Sequence, residues 1–244
     1  MSPRAILVES IEKSIASQDI ILEDQSIDSI PMEHLDSAKV YVTDQRTFQA
    51  ARNRNGRCCV LNFAAFYAPC NGYVFGNTQE ECLVRTSTLY PCISCPDAIK
   101  GYYEPHENIP SSTYNSDIIY TPDVKVFRND DNDQEMLDEK DWYDVDVITC
   151  CAPNLNDMYI DDDELLSIQT ARIDRIFQVA AHKGADVLIL GAFGCGAFSN
   201  NPRIVAIAFK TAVEKYRNVF EEIVFAIPIS GWDVNNRTFS EILL

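Results

Sequence analysis

The chain has 244 residues and a mass of 27.5 kDa, with 46% hydrophobic and 23% charged residues, a composition typical of a globular protein and not of a disordered or fibrous one. Its formal net charge of −17 argues against the broad cationic surface that binding to nucleic acids or anionic membranes requires. Fourteen acidic and three basic residues fall between positions 123 and 163, a stretch that we interpret as a solvated face and its loops.

The N-terminus and the cysteines bear on the cellular compartment. No apolar run approaches the roughly 20 residues of a membrane-spanning helix, and the N-terminus lacks the apolar centre of a signal peptide. The nine cysteines are an odd number, and several lie inside apolar runs, which predicts free, buried and reduced thiols. Cys92 and Cys95 have the spacing of zinc ligands, but the sequence has no second such pair. We therefore expect a soluble protein of the cytoplasm or nucleus.

The first 40 residues are mixed in character. The sequence ILVESIEKSIAS has the apolar spacing of an amphipathic helix, and an acidic, serine-rich connector follows it and ends at Pro31. We predict that residues 1–40 form an N-terminal helical appendage on a main domain of residues 41–244.

The next hundred residues contain strands, helices and an irregular part. AKVYVTD is predicted to be a strand, TFQAARN a short helix, and RCCVLNFAAF a strand buried on both faces. After a loop, QEECLVRTSTLY is predicted to be a helix with its acidic residues in the first turn. Residues 91–140 are the least regular, and DIIYTP with VKVFRN is predicted to form a hairpin.

The last hundred residues alternate regularly between strand and helix. VDVITCCAP, DVLILGAFG and EIVFAIP are predicted strands; a long helix closed by Gly184 and a helix opened by Pro202 lie between them. This alternation predicts an α/β fold with a mixed, largely parallel central sheet and helices on both faces. Ligands of such sheets bind beyond the carboxyl ends of the strands, in the loops that lead into helices.

One such loop, GAFGCGAFSNNP at residues 191–202, is rich in glycine. Its three glycines allow backbone N–H groups to approach an anion, and the following helix adds positive potential at its N-terminus. The loop matches neither the GxGxxG dinucleotide pattern nor a Walker loop. It indicates either a phosphate site or a tight turn between a strand and a helix.

A second loop, PCNGYVFGNTQEE at residues 69–81, ends in two adjacent glutamates. Adjacent carboxylates raise each other's proton affinity, so one of Glu80 and Glu81 can stay protonated and act as a general acid. A pair of glutamates at a helix start can also serve only to cap the helix.

The two loops together with their flanking strands resemble a known family. VLNFAAFYAPCNGYVFGNTQEECLVRTSTLYP, VITCCAPN, LILGAFGCGAFSNNPRIVAIAFK and EIVFAIP occur in this order over residues 40–244, and they resemble the macrodomain-type poly(ADP-ribose) glycohydrolases, especially the microbial branch. The resemblance implies a three-layer α/β/α macrodomain-like fold and an ADP-ribose-binding catalytic domain over residues 41–244. It also implies hydrolysis of the ribose–ribose O-glycosidic bonds of poly(ADP-ribose) on modified proteins, without a metal or cofactor.

The resemblance further implies the role of each site residue. Glu81 would protonate the leaving oxygen, Glu80 would hold hydroxyls of the same ribose, and Gln79 would position the pair. Asn62 would lie near that ribose, and Phe198 would pack on it. The remaining residues implied to bind substrate are Asn71, Gly72, Gly194, Cys195, Gly196 and Ala197, the last four through backbone N–H groups to the diphosphate. His34, His106 and His182 match no part of the pattern and are predicted to be structural or exposed.

The chain departs from the family at one point. Members carry three consecutive glycines where this chain has Cys70, Asn71 and Gly72, and residues with a Cβ resist positive φ. Three functions therefore stay open: a hydrolase of poly- or mono-ADP-ribosyl groups, a reader of ADP-ribose with little turnover, and an interaction module that uses the acidic face of residues 123–163. For a hydrolase, repulsion between the acidic protein and its polyanionic substrate favours attack at the chain end.

Overall fold

The computed structural model describes residues 2–28, 37–156, 158–229 and 234–244. Within these residues, one sheet has seven strands in the order β1-β4-β5-β3-β6-β7-β2. The strands are β1 (Asp19–Ile21), β2 (Lys39–Thr43), β3 (Cys58–Phe63), β4 (Ile118–Val126), β5 (Tyr143–Cys150), β6 (Val187–Leu190) and β7 (Glu222–Ala226).

The sheet is mixed and mostly parallel. β5, β3, β6, β7 and β2 run parallel to one another, whereas β4 is antiparallel to β5 and β1 is antiparallel to β4. Apart from Asn62, the residues of the central strands β3 and β6 are apolar, and both strands are almost wholly buried, as parallel strands covered by helices must be. The predicted α/β class is confirmed.

Helices cover both faces of the sheet. They are α1 (Pro3–Ala16), α2 (Thr47–Ala51), α3 (Gln79–Thr86), α4 (Leu89–Ile93), α5 (Pro96–Ala98), α6 (Glu104–His106), α7 (Asp162–His182), α8 (Pro202–Lys215) and α9 (Asn235–Leu243). Two apolar clusters result, one between the sheet and α7, α8 and α9, and the other between the sheet and the shorter helices α2 to α5. None of the helices in the described residues has both the length and the apolar character needed to cross a membrane.

The predicted hairpin at DIIYTP and VKVFRN is wrong, because both segments belong to the single strand β4. The ladder between β4 and β5 shifts register between Thr121 and Val124. Pro122 has no N–H to donate, and Asp123 has a φ of +53°, so these two residues bulge out of the strand without reversing it. The Asp123 N–H donates to Asp146 Oδ1 at 3.1 Å, which anchors the bulge to β5.

The N-terminal segment contacts the sheet. The predicted helix is confirmed as α1, β1 was not predicted, and the Ser14 hydroxyl donates to the Asp123 carbonyl at 3.1 Å. Residues 29–36 of the predicted connector, with His34, lie outside the described residues. The division of the chain at residue 40 stays a prediction.

The cysteines and histidines agree with the sequence analysis where they are described. None of the nine cysteines, all of which lie in the described residues, forms a disulfide, and every one except Cys195 is buried. Burial raises the pKa of the Cys92 thiol to about 12, which leaves it protonated at neutral pH. His106 is buried and its Nε2 lies 2.8 Å from Asp117 Oδ2, whereas His182 is exposed at the end of α7.

Candidate active site

A cavity of about 480 Å³ opens at the carboxyl ends of β3, β6 and β7. Eight of the eleven predicted site residues line it: Asn71, Gln79, Glu80, Glu81, Gly194, Gly196, Ala197 and Phe198. Of the other three, Asn62 is fully buried beneath the cavity, Gly72 is exposed in its loop, and Cys195 is partly exposed. The fold therefore brings both predicted loops to one place, as the carboxyl-end rule for parallel sheets requires.

Glu81 is held at the start of α3 by a capping box. The Thr78 side chain accepts from the backbone of Glu81, and Glu81 Oε2 accepts from the Thr78 N–H at 2.8 Å. Glu81 Oε1 accepts no hydrogen bond from the described residues, and the side chain is 7% exposed. A Cβ added to Gly76 would lie 2.9 Å from the Glu81 Cδ, so a glycine at position 76 leaves room for this carboxyl group.

Gln79 fixes the beginning of α3 to the end of β3. β3 pairs with β6 only through Val60, so the backbone groups of Leu61 and Phe63 lack strand partners on that side. The Gln79 Nε2 donates to the Leu61 carbonyl at 2.7 Å and to the Thr47 hydroxyl at 3.1 Å, and its Oε1 accepts from the Phe63 N–H at 2.9 Å. One side chain thus continues the ladder where the neighbouring strand has ended.

Glu80 is buried and accepts three hydrogen bonds. Its Oε1 accepts from Asn62 Nδ2 at 3.2 Å, and its Oε2 accepts from the N–H groups of Ala65 at 2.9 Å and Cys70 at 3.1 Å. Burial raises the pKa of Glu80 to about 7, and the charge of Glu81 adds to this effect, although the three donors oppose it. One carboxyl group therefore links β3, the loop after it and α3.

The loop of residues 64–78, called the Cys70 loop from here on, keeps a left-handed path without its family glycines. Cys70, Asn71 and Gly72 have φ values of +53°, +47° and +76°. Left-handed backbone costs a residue with a Cβ roughly 1–2 kcal/mol, and asparagine is the residue that tolerates it best after glycine. The Cys70 side chain is buried in the apolar cluster, and its N–H is bonded to Glu80, so packing and this hydrogen bond hold the strained residue.

The loop of residues 191–201, called the Gly194 loop, is held by Asn200. The Asn200 Nδ2 donates to the carbonyls of Pro153 at 2.7 Å, Gly194 at 3.2 Å and Phe198 at 3.1 Å, and its Oδ1 accepts from Gln169 Nε2 at 2.8 Å. Sequence reasoning did not single out Asn200 or Gln169. The only signal was an asparagine two residues before Pro202, which opens the predicted helix, and asparagine at such a place is typical of many loops.

Some N–H groups of the Gly194 loop are already hydrogen-bonded within the protein, and others are available to bind a ligand. The Cys195 N–H donates to the Ala192 carbonyl at 3.0 Å and is occupied. Within the described residues, the N–H groups of Gly194, Gly196 and Ala197 make no hydrogen bond, and these three residues line the cavity. Such N–H groups next to a helix N-terminus can bind the oxygens of an anion.

Two further residues lining the cavity were missed. Asp130 accepts from the N–H groups of Phe48 at 2.6 Å and Gln49 at 3.1 Å, and burial raises its pKa. Arg46 is the single lysine or arginine among the described residues that line the cavity. The positions of Asp130 and Arg46 at the cavity depend on tertiary contacts between distant segments, and local sequence patterns do not reveal such contacts.

Comparison with known proteins identifies the family of this chain. Residues 4–129 match the family described as microbial-type PARG, catalytic domain. The chain belongs to this family of poly(ADP-ribose) glycohydrolases. The matched residues include α1 and β1 as well as the glutamate pair.

Solved structures of microbial poly(ADP-ribose) glycohydrolases share the fold of this family member. The chain is 26% identical to the enzyme from Thermomonospora curvata, with a TM-score of 0.80 over 96% of this chain and 88% of that one. It is 27% identical to the enzyme from Deinococcus radiodurans in complex with ADP-ribose, with a TM-score of 0.84 over 96% of each chain. No curated protein sequence matches the chain. The macrodomain-like fold expected from the sequence is confirmed.

Proposed function

We propose that this chain removes ADP-ribose from poly(ADP-ribose) by hydrolysing ribose–ribose glycosidic bonds, with Glu81 as the general acid. The observation that carries this proposal is the placement of Glu81: the residue lines the cavity, one of its carboxyl oxygens is fixed by Thr78, and the other has no hydrogen-bond partner among the described residues. A general acid needs such an oxygen, because its proton must reach the substrate and not a protein acceptor.

The reaction needs one proton to move twice. Glu81 donates its proton to the leaving ribose oxygen as the glycosidic bond breaks, and positive charge develops at the anomeric carbon. Water then adds to that carbon, and its proton returns to the Glu81 carboxylate. Gly194, Gly196 and Ala197 line the same cavity as Glu81, so the substrate's own diphosphate, held by their N–H groups, would stabilise the positive charge.

The neighbouring side chains would orient the ribose. Glu80 Oε1 accepts one hydrogen bond in the structure and keeps a lone pair for a ribose hydroxyl, while Asn62 fixes this carboxyl group. Phe198 lines the cavity beside the Gly194 loop and offers an apolar surface to the sugar. Cys195 has its N–H occupied, so we assign it to loop geometry. Asn71 and Gly72, in the Cys70 loop, would close the cavity on the side opposite the Gly194 loop.

The substrate class rests on similarity and on charge. Structures of the similar enzymes contain ADP-ribose in the Deinococcus radiodurans protein and the inhibitor ADP-HPD in the Thermomonospora curvata protein. The net charge of −17 opposes long contacts with a polyanion, so a single ADP-ribose unit at the chain end would enter the cavity. We expect the polymer to be attached to a modified protein.

The test compares wild type with Glu81→Gln. Both proteins are incubated with poly(ADP-ribosyl)ated and mono(ADP-ribosyl)ated protein, and released ADP-ribose is quantified by mass spectrometry. The substitution should lower release from the polymer by at least a hundredfold, because a positioned general acid contributes about 10²- to 10⁴-fold to the rate. Calorimetry should show nearly unchanged ADP-ribose affinity, because the amide oxygen of glutamine can accept from the Thr78 N–H.

Each of the other possible results would support a different role for Glu81 or a different function for the chain. Wild-type turnover in the variant would refute the role of Glu81. Release only from mono-modified protein would mean that the Cys70 loop has changed the substrate. Binding of ADP-ribose without release from either protein would identify a reader.

A further inference from the structure

Cys70 places a sulfur atom next to the two glutamates. The Cys70 Sγ and one carboxyl oxygen from each of Glu80 and Glu81 lie within 4.8 Å of one another, and all three residues are buried. The thiol occupies a position that is glycine in the family pattern, so this sulfur atom is a feature of this chain and not of the family's usual active site. Three potential metal ligands therefore converge on one point.

The charges around this point favour a cation. Among the described residues, no lysine, arginine or histidine forms an ion pair with Glu80 or Glu81. Arg85 is near, but its Nη1 donates to the carbonyls of Val74 and Gly76 at 2.7 Å and its Nε to Gln134 Oε1. Buried carboxylates without a cation are unfavourable, and a bound divalent ion would compensate them.

An independent observation concerns Tyr103. The residue is 2% exposed, and its buried hydroxyl has no hydrogen-bond partner within the described residues. Tyr103 and Cys70 belong to the same buried apolar cluster, and burial, followed by the charge of Glu80, raises the pKa of the phenol. A buried hydroxyl left without a partner costs about 1–3 kcal/mol, which indicates that a further group, such as a metal-bound water, belongs there.

We propose that Cys70, Glu80 and Glu81 form a binding site for a divalent cation of the zinc type, and that its occupation inhibits the enzyme. Zinc accepts thiolate and carboxylate ligands at about 2.0–2.3 Å, which places ligand atoms about 3.5 Å apart in a tetrahedral site. The three ligand atoms lie within 4.8 Å of one another, so they would move closer by up to about 1.3 Å when the ion binds. Water, bonded to Tyr103, would take the fourth position.

Inhibition follows from the ligand set. Binding releases the thiol proton to solvent, and a Glu81 oxygen that coordinates the ion cannot donate a proton to the leaving oxygen. The ion would also occupy the space of the ribose. The inhibition rests on the proposed function, whereas the binding does not.

Cobalt serves as the probe, because a thiolate ligand gives Co²⁺ a charge-transfer absorption that carboxylates do not. The full chain is freed of metal, kept reduced with a phosphine, and titrated with Co²⁺ and then Zn²⁺. Wild type should show the thiolate band and lose it when Zn²⁺ displaces Co²⁺. Cys70→Gly, which restores the family residue, and Cys70→Ser, which keeps the side-chain size, should both lack the band. Cys195→Ser is the matched control from the other loop and should keep it.

Inhibition is measured separately, with each variant compared with its own rate without metal. The Zn²⁺ concentration for half-inhibition should rise at least tenfold in Cys70→Gly and Cys70→Ser. A thiolate band that persists in both variants, or equal Zn²⁺ sensitivity in wild type and both variants, would overturn the proposal. If the wild type shows the thiolate band but releases no ADP-ribose, the metal site stands and the proposed function is wrong. If it releases ADP-ribose but shows neither the band nor inhibition by Zn²⁺, the proposed function stands and the metal site is wrong.

Discussion

The two loops that border the cavity reach left-handed backbone under different constraints. In the Gly194 loop, a Cβ on Gly194 would lie 2.7 Å from the Ala152 Cβ and 2.9 Å from Asn200 Nδ2, so no side chain fits. In the Cys70 loop, Cys70 and Asn71 have positive φ and carry side chains, one buried and one exposed. A family glycine is thus required where the surroundings exclude a Cβ, and it is replaceable where the only cost is backbone strain.

The loops also differ in how they are held. The Gly194 loop depends on the neutral amide of Asn200, whereas the Cys70 loop depends on the carboxyl group of Glu80. The first anchor is independent of pH near neutrality and the second is not. The comparison predicts different responses of the two loops to substitution, pH and salt.

The largest expected effect is that of Gly194→Ala. The added methyl group combines an unfavourable φ of +76° with contacts below 3 Å, so we expect a loss of about 4 kcal/mol in the free energy of unfolding and at least a tenfold loss of ADP-ribose affinity. Urea titration and calorimetry measure the two quantities. Gly196→Ala is the control, because nothing lies within 4 Å of its Cβ; its stability should match wild type. Equal stability of all three proteins would contradict the clash.

A smaller effect is expected from the titration of Glu80. Its pKa is about 7 in the folded chain, against an ordinary value of 4.5, so between these values the folded state binds more protons than the unfolded state. Stability must then fall as pH rises through this window, by about 3 kcal/mol at 1.36 kcal/mol per pKa unit.

The Glu80→Gln variant isolates this contribution. In metal-free buffer, the difference in unfolding free energy between variant and wild type should shift in favour of the variant by about 3 kcal/mol from pH 4.5 to pH 8. Glu9→Gln, at an exposed position in α1, is the control for the loss of one carboxyl group. If the unfolding free energies of Glu80→Gln and wild type run parallel with pH, Glu80 does not titrate as assigned.

Restoring glycine to the Cys70 loop should change stability only slightly. Cys70→Gly relieves left-handed strain of about 1–2 kcal/mol but loses the packing of a buried thiol, so we expect a net change within about 1 kcal/mol. Asn71→Gly, at an exposed site, should change stability less. Thermal unfolding and ADP-ribose calorimetry provide the measurements. A tenfold gain in affinity in either variant would show that the present loop path differs from that of the glycine-bearing enzymes.

The smallest effect concerns salt. The Gly194 loop would bind the diphosphate through neutral N–H groups, and Arg46 is the single basic residue among the described lining residues, so screening should weaken binding little. Screening should also reduce repulsion between the acidic protein and long polymer. We expect turnover of long chains to rise about two- to threefold between low and moderate salt. A steep decrease would indicate a cationic tracking surface.

The sequence predicted the parts of the fold that depend on local pattern. The parallel strands, α7 with its closing Gly184 and the capping start of α3 follow from periodicity and end signals. The hairpin prediction was wrong, because a proline next to an aspartate is typical of a turn. The sequence does not show that β5 pairs with the residues on both sides of this dipeptide. β1 and α9 were missed, because three residues and nine residues are short windows in which to recognise a period.

The candidate site was predicted in outline and not in its supports. Glu80, Glu81 and the Gly194 loop were found from a motif, and the structure brings them to one cavity. The three hydrogen bonds to Glu80 and the Asn200 amide depend on side-chain geometry across distant segments. The conformation of Cys70 also needed the structure, since sequence alone left open whether a residue with a Cβ would follow the left-handed path. The catalytic and binding roles stay predictions.

The hydrogen bonds around Glu80 and Gln79 also bear on the order in which the molecule folds. The bonds from Asn62, Ala65 and Cys70 to Glu80 span 18, 15 and 10 residues, whereas the bond from Asn200 to Pro153 spans 47. Closing a short chain segment costs less entropy than closing a long one, and local contacts speed folding. We therefore expect the segment from β3 to α3 to form its contacts early and the Gly194 loop to dock later, so that the acid is in place before the phosphate site exists.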